Sequence, residues 1–235
     1  MKKSTITTIA LGAIAAISLT SCEYENTYHE VKSSQYSDKV KRQSNAIAVA
    51  STGRPLAKLP VRLGVARVYK NKDQSLYLPN GAKFESESDI ATLHQLHGVS
   101  GALMLNSVLG GQTFSNVTEL RKVARNYGIE VLGLYHLDTN THHKDYSTIV
   151  SVATLGTAPT QGIRTVTTGT FSIIDAHSGY LYGVTNAIAK NKSIATGWGY
   201  SNAEKEDRLE MEEEVYRSIL EKLPTSWNNA IRQMR

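Results

Sequence analysis

The chain has 235 residues, with 26 Lys and Arg against 21 Asp and Glu and a formal net charge of +5. So mild an excess excludes the clustered basic footprint of a nucleic-acid binder. A single cysteine excludes a disulfide-stapled fold, and twelve Tyr against three Phe and two Trp suit strands that are half buried and half wet.

Residues 1–21 have the order of an export signal: Lys2 and Lys3, then an apolar run from Ile6 to Leu19. That run falls short of the roughly 20 residues a spanning helix needs. Thr7, Thr8 and Gly12 also interrupt it. It ends in Leu19-Thr20-Ser21-Cys22, which holds the only cysteine of the chain. The tetrapeptide resembles the lipobox of bacterial lipoproteins, which implies that Cys22 is lipidated and becomes the N-terminus. Several acyl chains, at about 0.8 kcal/mol per buried CH₂, would hold the protein on a membrane. The same resemblance implies the bacterial envelope. Glu23 rather than Asp after the cysteine points to the outer membrane. Without the leader the chain keeps 24 basic and 21 acidic residues.

Residues 22–45 are polar and of mixed charge, and are expected to form a flexible tether. Coil statistics give it a reach of about 25 Å. Asp38–Ala50 can turn helical and rest on the domain that follows. Residues 46–235 are expected to form one α/β domain.

Val61–Tyr69 predicts a strand apolar on both faces, hence central. Lys70–Lys83 reads as a polar loop with a Pro79-Asn80-Gly81 turn. Ser86–His97 predicts a helix closed by Gly98, and Ala102–Leu109 a short strand. Asn116 and Glu119 have capping-box spacing for a helix ending at Gly128. Ile129–Leu137 follows as a covered strand. Tyr146–Leu155, Arg164–Asp175 and Tyr180–Ala189 predict an antiparallel meander, with Asp175–Gly179 as a tight joint. A last helix is expected from Ser201 to about Lys222, with Leu209, Tyr216, Leu220 and Leu223 as its buried stripe, widened by Met211, Val215 and Ile219. Pro224 should interrupt it before a further turn of helix over Ser226–Met234.

The fold class expected is α/β (α+β). It comprises a mixed sheet with an N-terminal β-α-β-α-β part, a meander of three strands and a C-terminal helix.

Four stretches carry a family likeness: LPVRLGVARV (Leu59–Val68), LRKVARNYGIEVLGLYHLD (Leu120–Asp138), YSTIV (Tyr146–Val150) and FSIIDAHSGYLYG (Phe171–Gly183). In this order they resemble the rhombotarget lipoproteins of bacterial envelopes. More widely the chain looks like the amino-terminal domain of TolB, the lipoprotein CsgG and the lipoprotein activators of penicillin-binding proteins. The matching steps are Tyr127-Gly128-Ile129-Glu130, from helix into central strand, and Asp175-Ala176-His177-Ser178-Gly179 at a hairpin. The resemblance implies an envelope α/β domain that contacts other proteins through sheet edges, loops and helices.

Chemistry-bearing motifs are sparse. His94 and His97, and His142 with His143 near Asp138 and Asp145, are the residues from which a metal site could be composed. Their spacing matches no strong metal motif. Asp175, His177 and Ser178 crowd one turn without a nucleophile elbow, and Asp175 reads better as an acceptor for turn amides. Gly110-Gly111 and Gly197-Trp198-Gly199 lack phosphate-loop spacing, so no cofactor is expected. Arg121, Arg125, Trp198 and Tyr200 are the candidate partner contacts. The leading expectation is a lipid-anchored, non-enzymatic module that binds an envelope protein or its own copies, and no nucleic acid. One alternative is a small envelope hydrolase or metal-binding protein built on the histidines. The other is a protein that engages peptidoglycan or glycan through Tyr and Trp.

Overall fold

The computed structural model describes residues 53–73, 75–81, 84–145, 159–196 and 200–234. Cys22, Asp38–Ala50, the strand expected at Tyr146–Leu155, and Trp198 lie outside them. At the centre is β1 (Val61–Arg67), buried on both faces after Arg62. It pairs in parallel with β4 (Val99–Met104) on one side and β6 (Val131–Asp145) on the other. The sheet continues antiparallel through β7 (Pro159–Asp175) and β8 (Leu181–Thr196), in the order β4-β1-β6-β7-β8. A small antiparallel sheet joins β2 (Tyr69–Lys70), β3 (Leu76–Tyr77) and β5 (Thr113–Phe114). With α1 (Glu87–His94), α2 (Asn106–Leu109), α3 (Val117–Asn126) and α4 (Tyr200–Gln233), the fold is mixed α+β.

Local signals place the short elements. The Asn116 side chain accepts the Glu119 N–H at 3.0 Å, capping α3. Gly128 closes that helix at φ 71°, a left-handed conformation that costs glycine nothing. Two short segments depart from expectation. The strand predicted over Ala102–Leu109 stops at Met104, and Asn106–Leu109 is helical. Asn106 turns the chain by bonding both backbone groups of Arg67. The polar loop Lys70–Lys83 contains β3, which Leu76 anchors in the core.

Two apolar layers flank the sheet. One joins Leu63, Val65, Tyr135, Phe171 and Ile173 to α1 and to α4 residues Val215, Ile219 and Trp227. The other joins Ala66, Leu132, Leu134 and Ile174 to Leu120 and Ala124 of α3. Gly169 lets α4 approach β7. A Cβ there would meet Val215 Cγ1 well inside contact distance, with Ile219 Cδ1 at 2.8 Å and Leu137 Cδ2 at 3.0 Å. Gly169→Ala is therefore expected to lower stability by about 1–3 kcal/mol through overpacking, read as a lower urea midpoint.

The helix and the ribbon correct the sequence reading in three places. Pro224 does not break α4, which runs unbroken over 34 residues. Proline removes only the bond to the Leu220 carbonyl, and the stripe Ile219, Leu223, Trp227, Ala230 and Ile231 stays buried across it. Leu209 is not on that stripe but is 50% exposed, whereas Met211, Val215 and Ile219 are buried as expected. Finally, β6 does not end at Leu137 but pairs with β7 as far as Asp145 opposite Gln161. Its polar second half makes a long ribbon with β7 and β8, one face of which lies under α4.

Candidate functional site

Parallel strands on both sides of β1 make a topological switch point, and the crevice beyond the carboxyl ends of such strands is where open α/β sheets hold ligands. Here the chain fills that crevice with its own side chains. Asn106 Oδ1 accepts the Arg67 N–H at 2.6 Å, and its Nδ2 donates to the carbonyls of Arg67 and Pro79 at 2.9 and 2.8 Å. The Arg67 guanidinium lies 5.0 Å from the Tyr69 ring centre and 5.3 Å from that of Phe84. It meets Glu212 of α4 at 2.6 Å, with both side chains buried. Arg208 reaches the other Glu212 oxygen at 3.0 Å.

A second set of polar groups closes the same region. Arg217 binds Asp89 at 2.5 Å and the Phe84 carbonyl at 2.7 Å, so its main partner is across the fold; its pair with Glu213 along the helix is looser at 3.7 Å. Tyr216 donates to Asp89 at 3.2 Å, and Tyr135 donates to Glu85. Burial, then the charge of Glu85, pushes the Tyr135 phenol far up; burial, then Asp89, does the same to Tyr216. Both phenols keep their protons near neutral pH, so neither is poised as a general base.

Asp175 is the other concentration of buried polar bonds. It is fully buried and accepts from the N–H groups of Leu56, Ala57, His177 and Ser178 and from the Tyr182 hydroxyl, all at 2.7–2.8 Å. Burial pushes its pKa up, but the Ser178, Leu56, Tyr182 and Ala57 hydrogen bonds outweigh this and leave it below the ordinary value. The aspartate holds its own turn, as the sequence implies, and also ties the turn to residues 56–57.

The ribbon offers a different surface. The side chains of His136, Asp138, Asn140 and His142 on β6 share a face with Arg164, Val166, Thr168 and Thr170 on β7 and with Asn186, Ile188 and Lys190 on β8. Thr170 bonds Asn186 at 3.1 Å, and His136 Nδ1–H donates to the Val68 carbonyl at 2.8 Å. Ile188 stands 48% exposed, while Val166, Thr168 and Thr170 on the central strand are buried. Among the described residues no helix packs on this half of the face; α4 packs on the opposite one.

The residues singled out from sequence do not converge. His94 Nε2 accepts the Ala102 N–H at 3.2 Å, and the His97 carbonyl accepts from Trp227. His142 lies eleven residues along β6 from Val131, on the order of 35 Å away at strand rise. His143 follows it in the strand, opposite Ile163 of β7. Among the described residues no three His, Cys, Asp or Glu are grouped to hold a metal. Arg121 donates to the carbonyls of Ala176 and His177 at 3.2 and 2.5 Å, whereas Arg125 is exposed. Tyr200 opens α4. Arg67, Asn106, Asp89, Arg217 and Glu212 escape a sequence reading because their partners are distant in the chain. Among the described residues no helix is long and apolar enough to cross a membrane.

No family model matches the chain, and no curated protein matches it. Among solved structures it is similar to three bacterial lipoproteins. A minor lipoprotein from Acinetobacter baumannii is 10% identical, with 70% of this chain and 92% of that one covered and a TM-score of 0.34. The rare lipoprotein B from Shewanella oneidensis is 8% identical over 72% and 97% of the two chains, with a TM-score of 0.35. Lipoprotein GNA1162 from Neisseria meningitidis is 11% identical over 57% and 85%, with a TM-score of 0.33.

Proposed function

We propose that this protein is a lipid-anchored lipoprotein of the bacterial envelope, of rhombotarget type, and that it acts as a non-enzymatic protein-binding module. Cys22 carries the anchor, and the outer membrane is its membrane. The half of the ribbon face on which no described helix packs carries the binding role. It presents the imidazoles of His136 and His142, the amides of Asn140 and Asn186, and Ile188 on a long, pre-formed sheet, a surface that can dock a partner protein or a second copy. The filled switch-point crevice supports the same reading, since it leaves the usual ligand position of such sheets to Asn106 and Arg67.

Photo-crosslinking in cells tests this. A crosslinking residue at Asn140 or Ile188 should give discrete adducts, and one at Glu210 on the outer side of α4 should not. Adducts of equal yield at all three positions, or none at any, would remove the ribbon face as the binding surface.

A further inference from the structure

One end of the domain collects the starts of β1, β4, β6 and β8 and the close of β7, since Val61 pairs with Val99, Leu63 with Val131, Val131 with Asp175 and Leu181 with Ile174. The preceding chain joins the domain at this same end. Gly53 packs against Ser178 so closely that a Cβ would sit 2.8 Å from the serine Cβ. Asp175 then grips the N–H groups of Leu56 and Ala57. The segment bearing Cys22 therefore enters at a fixed place on the fold.

That end is basic. Arg54, Lys58 and Arg62 are exposed on the entering chain and the first residues of β1. The Arg62 side chain reaches Gly128, where a glycine Cβ would meet its Nη1 at 2.8 Å, and so brings the C-terminus of α3 and the exposed Arg125 beside it. Three carboxylates stand near them and keep their charge, and the basic groups Arg54, Lys58, Arg62, Arg121 and Arg125 outnumber these acids. Glu130 accepts the Arg62 N–H, Glu119 binds Ser115, and Asp175 has its five donors. Two apolar side chains stand out of the same basic end: Leu56 is 58% exposed and Tyr127 38%. The exposed acids Glu206, Glu210, Glu213 and Glu214 are elsewhere, in the first half of α4. They lie roughly 20–30 Å along the helix from Trp227, which marks the basic end through its bond to His97; of the exposed acids of α4 only Glu221 is closer, at about 9 Å.

We infer that this end of the domain docks on an anionic phospholipid surface, with Arg54, Lys58, Arg62 and Arg125 against headgroup phosphates and Leu56 and Tyr127 at the interface. The inference rests on the lipid-anchor reading, because the tether must deliver this end to a bilayer. Charge and position then agree: the anchor-bearing chain enters at the basic end, and the acidic first half of α4 lies away from it. Basic side chains with an aromatic and an aliphatic residue are the chemistry of an interfacial contact. Docking would also fix the direction in which the ribbon projects, with Asp145 and Pro159 at the end of the sheet opposite Asp175.

The test uses the full chain reconstituted into vesicles of phosphatidylcholine alone or with added phosphatidylglycerol. Lipidation blocks Cys22, so Leu56→Cys or Leu209→Cys supplies a single thiol for a fluorophore, and a quencher is carried on the lipid. On anionic vesicles the Leu56 site should be quenched several-fold more than the Leu209 site. The difference should vanish at about 0.5 M salt, where screening acts within about 4 Å. Lys58→Glu with Arg125→Glu should lower the docked population about tenfold or more, while flotation with the vesicles is unchanged. Equal quenching at the two sites in protein that floats would overturn the docking and leave the anchor standing. Protein that floats with neither vesicle would overturn the anchor and the docking together.

Discussion

Replacing Asp175 with alanine is expected to lower the free energy of unfolding by about 3–5 kcal/mol, a large share of the roughly 5–15 kcal/mol that holds an ordinary domain together. The carboxylate satisfies four backbone N–H groups and one phenol at a fully buried site. Alanine leaves those donors facing each other, and water that enters can serve only some of them. The expected observation is a lower urea midpoint with an unchanged slope. Asp175→Asn should cost less, because its carbonyl still accepts, but its amide hydrogens oppose the same donors. The aspartate also makes stability depend on pH. Its folded pKa lies below the ordinary value, so the unfolded chain takes up the proton first. The contribution is complete above the unfolded pKa of about 4 and is lost as pH falls through the folded one. Acid unfolding of the parent should therefore steepen below about pH 4, and the alanine variant should lose that part of the dependence. An unfolding free energy within about 1 kcal/mol of the parent would show that the knot at 175 does not hold the domain together.

The same residue shows how far a sequence can be read. Its turn is a local event: the donors His177 and Ser178 follow within three residues, and Gly179 takes φ 81°. Leu56 and Ala57 are over a hundred residues away, and nothing in the spacing reports them. Helix caps, the helix-to-strand step at Gly128 and the centrality of Val61–Arg67 are legible for the same reason, since each rests on neighbours in the chain. The second half of β6 is not. Asp138-Thr-Asn-Thr-His-His has no apolar alternation, because one of its faces is solvated and the other meets threonines and α4, so it imitates a loop. Pro224 misleads in the opposite direction. The local penalty is real, but burial of Trp227, Ala230 and Ile231 beyond it outweighs one lost hydrogen bond. Arg121 shows the limit for function: its position on a polar helix face suggests a partner contact, and its guanidinium is engaged with the hairpin carbonyls instead.

Glu212→Ala should be nearly as damaging as the loss of Asp175, for an electrostatic reason. Arg67 is 6% exposed, stacked between Tyr69 and Phe84, and Glu212 is its only charged partner among the described residues. Its Nε already lacks a hydrogen bond. Removing the carboxylate leaves a buried cation uncompensated, which typically costs about 3–5 kcal/mol. Removing Arg208 should cost far less, about 0–1 kcal/mol, because that side chain is 55% exposed and the pair is screened by water. The two effects separate in a thermodynamic cycle. Arg67→Met with Glu212→Leu replaces the pair by apolar volume and should recover most of the stability lost in Glu212→Ala, as buried pairs elsewhere do. If the double variant is as unstable as the single one, the damage comes from packing of α4 against the sheet rather than from the stranded charge. If it recovers, the pair is dispensable for stability. Its remaining role is then to hold α4 in register over β1 and β6, so that the helix covers one face of the ribbon.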